Sequence, residues 1–232
     1  MIKLNAKLIL IRLFFIDLFF IVVHLVSVNI GLPEALVFAT VKILFNLNGE
    51  HNIPAWFSAS QLVLLAFLAL VRSDQLNDRD QDKQTLRRLY LLMGGVFLFF
   101  SLDEIISIHE SLTELLIHHG INSPFFEGNG AWIFVYPAVF FVVLWFLRGG
   151  LIDFLKETPG RRAYLLGAAV FVLGGIVFET LGYYLDDFGL KETHVKRLEV
   201  VLEEGCELLG QSTMVYALLV KLGSFSATPK GS

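Results

Sequence analysis

A single cysteine, Cys206, in 232 residues excludes a disulfide within the chain, and its place inside an apolar run leaves redox compartment unread. Charge is the second scarcity. Asp, Glu, Lys and Arg make up 17% of the sequence, against about a quarter in ordinary soluble domains. With hydrophobic residues at 55%, a water-soluble globule is excluded. No basic stripe is present, so nucleic acid is not an expected partner. The sequence also lacks HExxH, a Glu-x-x-His pair, GxSxG, a P-loop and a glycine-rich dinucleotide fingerprint. The paired histidines of a membrane haem or di-iron site are missing too, since only His24 and His109 fall inside long apolar stretches. Residues 1–117 show no correspondence with 132–222, which speaks against an inverted-repeat transporter.

What the sequence does have is a series of long apolar runs. Crossing about 30 Å of hydrocarbon at about 1.5 Å per residue takes about 20 residues. Six stretches suit that length: 8–30, 54–72, 89–117, 132–148, 163–184 and 199–222. Runs without polar alternation do not suit a barrel. The expected fold is therefore all-α, a polytopic bundle of six transmembrane helices forming one domain over 1–222, followed by a flexible tail over 223–232. The first run carries Arg12, Asp17 and His24 and lacks a small-residue cleavage pattern, so it reads as a retained helix.

Lysine and arginine assign the sides. Lys3, Lys7 and Arg12, then Arg72 to Arg88, then Arg148 to Arg162, then Lys221 and Lys230 crowd one set of segments, while the alternate set holds only Lys42, Lys191, Lys196 and Arg197. Basic segments stay inside, which puts both termini in the cytoplasm. Between the first two spans LVFATVKILFNL is apolar but too short to cross, which suggests an interfacial helix. Trp56, Trp132, Tyr136, Tyr183 and Tyr184 fall near outer ends, where aromatic belts form. Gly94-Gly95, Gly174-Gly175, Gly167, Gly205 and Gly210 read as close helix packing.

The chemistry is concentrated at one depth. Asp103 lies about 20 Å along the third stretch, with His109 and Glu110 near its outer boundary, and Glu179 comes about 24 Å after Ala163 in the fifth. Glu203, Glu204 and Glu207 occupy the first two turns of the sixth. A charge at mid-span costs about 2.5–3.5 kcal/mol, so these groups should face one another or water. At about 100° per residue, Asp103, Ser107, Glu110 and Glu114 share a stripe and His109 points well away from Asp103. Glu199, Glu203 and Glu207 share a second face, and like charges at that spacing call for protons or a cation. The expected metal ligands are Asp103, His109, Glu110, Glu179, Glu203 and Glu207. Such an oxygen-rich set suits calcium, magnesium or manganese, and its one imidazole admits zinc or iron. Were the chain a hydrolase of outer-leaflet lipids, Glu104 or Glu110 would be the base and His109 a ligand or acid. Glu199 and Glu114 read as solvated ends, and Asp17 as pairing with a neighbouring helix. The bilayer, a lipid or small ion, and partner membrane subunits or further copies of the chain are the partners left open.

The segments NLNGEHNIPAWFS, FLFFSLDEIISIHE, Trp132 with Val135-Tyr136-Pro137, GGIVFETLGYY and LEEGCELLG resemble a group of uncharacterised bacterial multi-pass membrane proteins over about residues 45–220. That resemblance implies a motif set of Glu50, Asn52, Pro54, Trp56, Asp103, Glu104, His109, Glu110, Glu179, Glu203 and Glu207, and no activity; the expected location is a bacterial inner membrane. Asn48 stands where the resemblance leads one to expect an acid. A weaker likeness is to membrane hydrolases of the alkaline-ceramidase type. Those use a histidine pair on a late helix, where this chain has Glu203 and Glu207.

Overall fold

A computed structural model describes residues 5–29, 36–76, 81–121, 130–191 and 193–226. Among them every regular element is helical: α1 (Ala6–Asn29), α2 (Leu36–Leu44), α3 (Ile53–Gln75), α4 (Gln81–Ile106), α5 (Ile108–His118), α6 (Trp132–Phe146), α7 (Arg148–Lys156), α8 (Arg161–Val172), a π-helical turn (Leu173–Phe178), α9 (Glu179–Asp187) and α10 (His194–Ser226). Parts of the loops expected around 30–35, 77–80 and 122–129, and the end of the tail from 227, lie outside the described residues.

Among the described residues four helical stretches are long and apolar enough to cross a membrane: Ala6–Val28, Ile53–Gln75, Lys83–Ile106 and Arg161–Asp187. A fifth candidate is broken, because α7 leaves α6 at 79°. Gly149 and Gly150 are weak helix formers, and the Arg148 guanidinium bonds the Trp145 carbonyl at 3.1 Å, which helps to close α6. The third expected stretch, 89–117, is likewise two helices, α4 and α5. The segment expected at the interface contains the short helix α2, and α10 continues through Ser226 into the expected tail. The helices also carry large exposed apolar side chains, such as Phe15 and Phe19 on α1 and Phe141, Trp145 and Phe146 on α6. Such surface belongs in lipid rather than water, and the chain is a multi-pass membrane protein.

The longest helix runs through the middle. α10 packs against α1, α3, α8, the π turn and α9. Met214, Val215 and Leu218 on α10 join Leu62, Leu65, Ala66, Ala69, Leu89 and Tyr90 in the main core. Backbones approach closely where α8 crosses α10: a Cβ on Gly210 would sit 2.6 Å from the Phe171 nitrogen and 2.7 Å from the Gly167 carbonyl. Only glycine fits at that crossing.

The two ends of the bundle differ in charge. At one, Glu157 accepts from Arg72, from Lys221 at 3.0 Å and from the Tyr90 hydroxyl at 2.5 Å. At the other, α4, α5, α9 and the start of α10 bring their acids together. Glu203 and Lys221 on α10 are separated by about 27 Å of helix, about one hydrocarbon thickness.

Candidate functional site

The site is built on a break. Ser107 takes a left-handed conformation (φ 54°, ψ 50°), ending α4 at Ile106 and starting α5 at Ile108. One Asp103 oxygen accepts the His109 backbone N–H at 2.8 Å and lies 3.2 Å from His109 Nδ1. Asp103 thereby satisfies an N–H in the first turn of α5, which has no intrahelical partner. Along one uninterrupted helix the two side chains would diverge, as the sequence leads one to expect, but the left-handed residue resets the register and joins them. The Tyr136 hydroxyl reaches the same Asp103 oxygen at 3.4 Å. Trp132 packs edge-on against the His109 ring (5.3 Å between centroids) and against Tyr136 (5.4 Å). These two aromatics line the site rather than a lipid belt, whereas Trp56 is exposed.

Glu50 arrives from the loop before α3. Asn52 ties that loop down: its oxygen accepts the Ala55 N–H at 3.1 Å, and its amide donates to the carbonyls of Asn46 (2.6 Å) and Gly49 (2.5 Å). Leu47 N–H donates to His24 Nδ1 at 3.1 Å, anchoring the loop to α1. With His51 also left-handed (φ 61°), the loop turns Glu50 toward α5. Ligand atoms of Glu50, His109 and Glu110 all lie within 4.8 Å of one another. Since Asp103 engages Nδ1, Nε2 is the nitrogen left for this group.

Electrostatics follow from that geometry. Burial alone would lower the His109 pKa, but the hydrogen bond and charge of Asp103, joined by Glu179 and Glu50, outweigh it and raise it above its ordinary value. Burial, then the neighbouring Glu110 charge, raises Glu50.

The remaining acids form a deeper group. Gly174 and Gly175, in the π turn directly before Glu179, make room for α10: a Cβ on Gly174 would meet the Glu203 carbonyl at 2.6 Å and Glu207 Cγ at 2.8 Å, and one on Gly175 would meet Glu207 Oε1 at 2.7 Å. Glu203 lies against Glu179 and Glu199. The groups acting electrostatically on Glu207, namely Glu104, Glu179 and Asp103, are all acids. Glu104 lies near Ser58 on α3. Glu179 reaches His109 electrostatically, so the deep group adjoins the outer one.

The expected ligands therefore fall into two adjoining sets, with Asp103, His109 and Glu110 outside and Glu179, Glu203 and Glu207 inside. Glu199 was expected to be solvated. It is instead buried, 2.9 Å from Lys196 Nζ, because the first turns of α10 fold under α9. Glu114 is exposed, as expected, and so are His118 and His119. Glu50 belongs to the resemblance's motif set but not to the expected ligands, because it lies in a loop and the depth of a residue along a span says nothing of loops. Tyr136 was read as a belt residue; its offset of four from Trp132, along one helix face, was the signal for its present place.

A Gly174→Ala chain should be less stable by about 1–3 kcal/mol, the usual cost of overpacking. A lowered thermal midpoint in detergent checks this, and an unchanged one would show that the π turn can give way.

No curated protein and no solved structure matches the chain. Residues 12–222 match the model of a domain of unknown function, DUF8692, and the chain belongs to that family.

Proposed function

We propose that this membrane protein binds a divalent cation at its acidic end through Glu50, His109 and Glu110, with Asp103 orienting the imidazole. The observation that carries the reading is the convergence of those three side chains within 4.8 Å, on an imidazole whose other nitrogen faces a carboxylate. Carboxylate–imidazole pairs of this kind set the tautomer and raise ligand basicity at metal sites. One nitrogen with carboxylate oxygens suits manganese or zinc; an ion held deeper, by Glu179, Glu203 and Glu207, would see oxygen alone, as calcium and magnesium prefer. The bound cation fastens the loop before α3 to the start of α5 and offsets a crowd of carboxylates that would otherwise repel one another.

The crowding of Arg72, Lys221 and the other basic residues at one end supports a cytoplasmic basic end, with the cation site toward the opposite face of a bacterial inner membrane. Calorimetric titration of chelator-treated protein with manganese, zinc, calcium and magnesium tests the proposal. About one ion per chain should bind, more weakly as pH falls, because His109 must lose a proton that Asp103 helps it keep. No uptake of any of the four overturns it.

A further inference from the structure

A second ionisable group lies far from the acidic end. Asp17, midway along α1, is fully buried. Ser212 on α10 donates to one of its oxygens at 2.7 Å, and the Gln61 amide on α3 approaches the other at 3.3 Å and donates to Ser212 Oγ at 3.0 Å. Among the described residues, neither element bonded to Asp17 brings it a compensating charge. α3 over 58–65 and α10 over 208–215 carry no charged residue, and on α1 the nearest titratable groups are Arg12 and His24, five and seven residues away. An isolated carboxylate inside a bilayer is costly, and such residues mark ion or proton sites.

The network is also one partner short. Gln61 Oε1 is buried and has no hydrogen-bond partner among the described residues, although Gln61 itself is only 2% exposed. A neutral Asp17 removes the uncompensated charge and supplies the donor that the network lacks. A half-turn of the Gln61 amide then presents Oε1 to the carboxyl O–H, in exchange for the Nε2 bond to Ser212 Oγ. Ser212 continues to donate to the other Asp17 oxygen. The step is the gain of one proton by one carboxylate and needs no other reactant.

Buried polar side chains adjoin this spot on one side: Gln211 Nε2 donates to Ser58 Oγ at 2.9 Å, Gln211 precedes Ser212 on α10, and Ser58 lies about one turn from Gln61 on α3. Toward the basic end Leu65, Ala69, Val215 and Leu218 are each fully buried, forming a dry layer. We infer that Asp17 is a proton-binding site at the middle of the bundle, reached from the acidic end along Ser58 and Gln211 and sealed from the basic end. It is independent of the cation site, since Asp17 touches none of those ligands.

Infrared difference spectroscopy on protein labelled with carbon-13 aspartate reads this directly. Acidification should bring up one isotope-shifted carbonyl band of a protonated aspartic acid, absent from Asp17→Asn, an isosteric change. Gln61→Leu, which removes the acceptor, should shift that band, so a poorly folding Asp17→Asn chain does not end the test. Ser58→Ala should slow its exchange on transfer to deuterium oxide. A band that survives in Asp17→Asn, one that ignores Gln61→Leu, or no titrating aspartate band in the wild type overturns the site; unchanged exchange in Ser58→Ala overturns the route.

Discussion

Glu157→Gln should lower stability by about 3 kcal/mol. Removing one member of a buried ion pair leaves the others uncompensated, at about 3–5 kcal/mol, and the low end applies because the Glu157 side chain keeps 18% of its exposure. Arg72 and Lys221 have side chains only 8% and 1% exposed, and both point their charge at this carboxylate. Lys221 Nζ also lies 4.2 Å from the Phe154 ring centroid, a favourable contact too weak to replace an anion. Glutamine keeps the shape and the hydrogen bond from Tyr90 but not the charge.

Burial alone would raise the pKa of Glu157; the hydrogen bonds from Tyr90 and Arg72 and the charges of Lys221 and Arg72 outweigh it and hold it below the ordinary 4.5. A depressed folded value means that this stabilisation is complete above the unfolded value and is lost as pH falls through the folded one. The wild type should therefore lose stability below about pH 4.5, and Glu157→Gln should lose less over the same window. Denaturation by detergent or heat at several pH values measures both. Equal stability of the two chains at neutral pH would mean that Arg72 and Lys221 are adequately served without Glu157. Adding Lys221→Met to Glu157→Gln should recover part of the loss, as expected when the penalty comes from a stranded charge.

His109→Ala should abolish cation binding, and Asp103→Asn should weaken it by about 10- to 100-fold, the range for groups that orient a metal-binding histidine. The two effects separate the roles. His109 offers the ion a nitrogen, whereas Asp103 acts through Nδ1 at 3.2 Å and through the α5 backbone at 2.8 Å. Asparagine can still accept a hydrogen bond but does not raise the basicity of the imidazole, so affinity should fall while the fold persists. Trp132 fluorescence reports on the same event, its ring centroid being 5.3 Å from that of His109. Equal affinity in wild type, Asp103→Asn and His109→Ala would move the ion elsewhere.

Much of the fold was legible in the sequence because hydrophobic length is a one-dimensional property. The stretches around Ala6–Val28, Ile53–Gln75 and Lys83–Ile106 follow from counting apolar residues. The break at Ser107 was not legible: serine in a left-handed conformation has no sequence signature as glycine does, and assuming continuity misplaced His109 relative to Asp103. The 79° bend between α6 and α7 had a cue in Arg148-Gly149-Gly150, read only as the edge of a loop. For the site, depth along each helix put Glu179 and Glu203 at one level, and the two lie against one another. Rotation and loop geometry, which decide what touches what, depend on tertiary contacts, and that is why Glu50, fixed by Asn52 and His24, entered only through the resemblance. The role of Glu199 changed for the same reason: Lys196 sits one turn away, and α9 covers both.

Crystals grown with manganese offer the most direct check. Anomalous scattering should show a peak about 2.0–2.6 Å from carboxylate oxygens of Glu50 and Glu110 and from Nε2 of His109. A peak bound only elsewhere, or none while those three side chains stand together, contradicts the cation site.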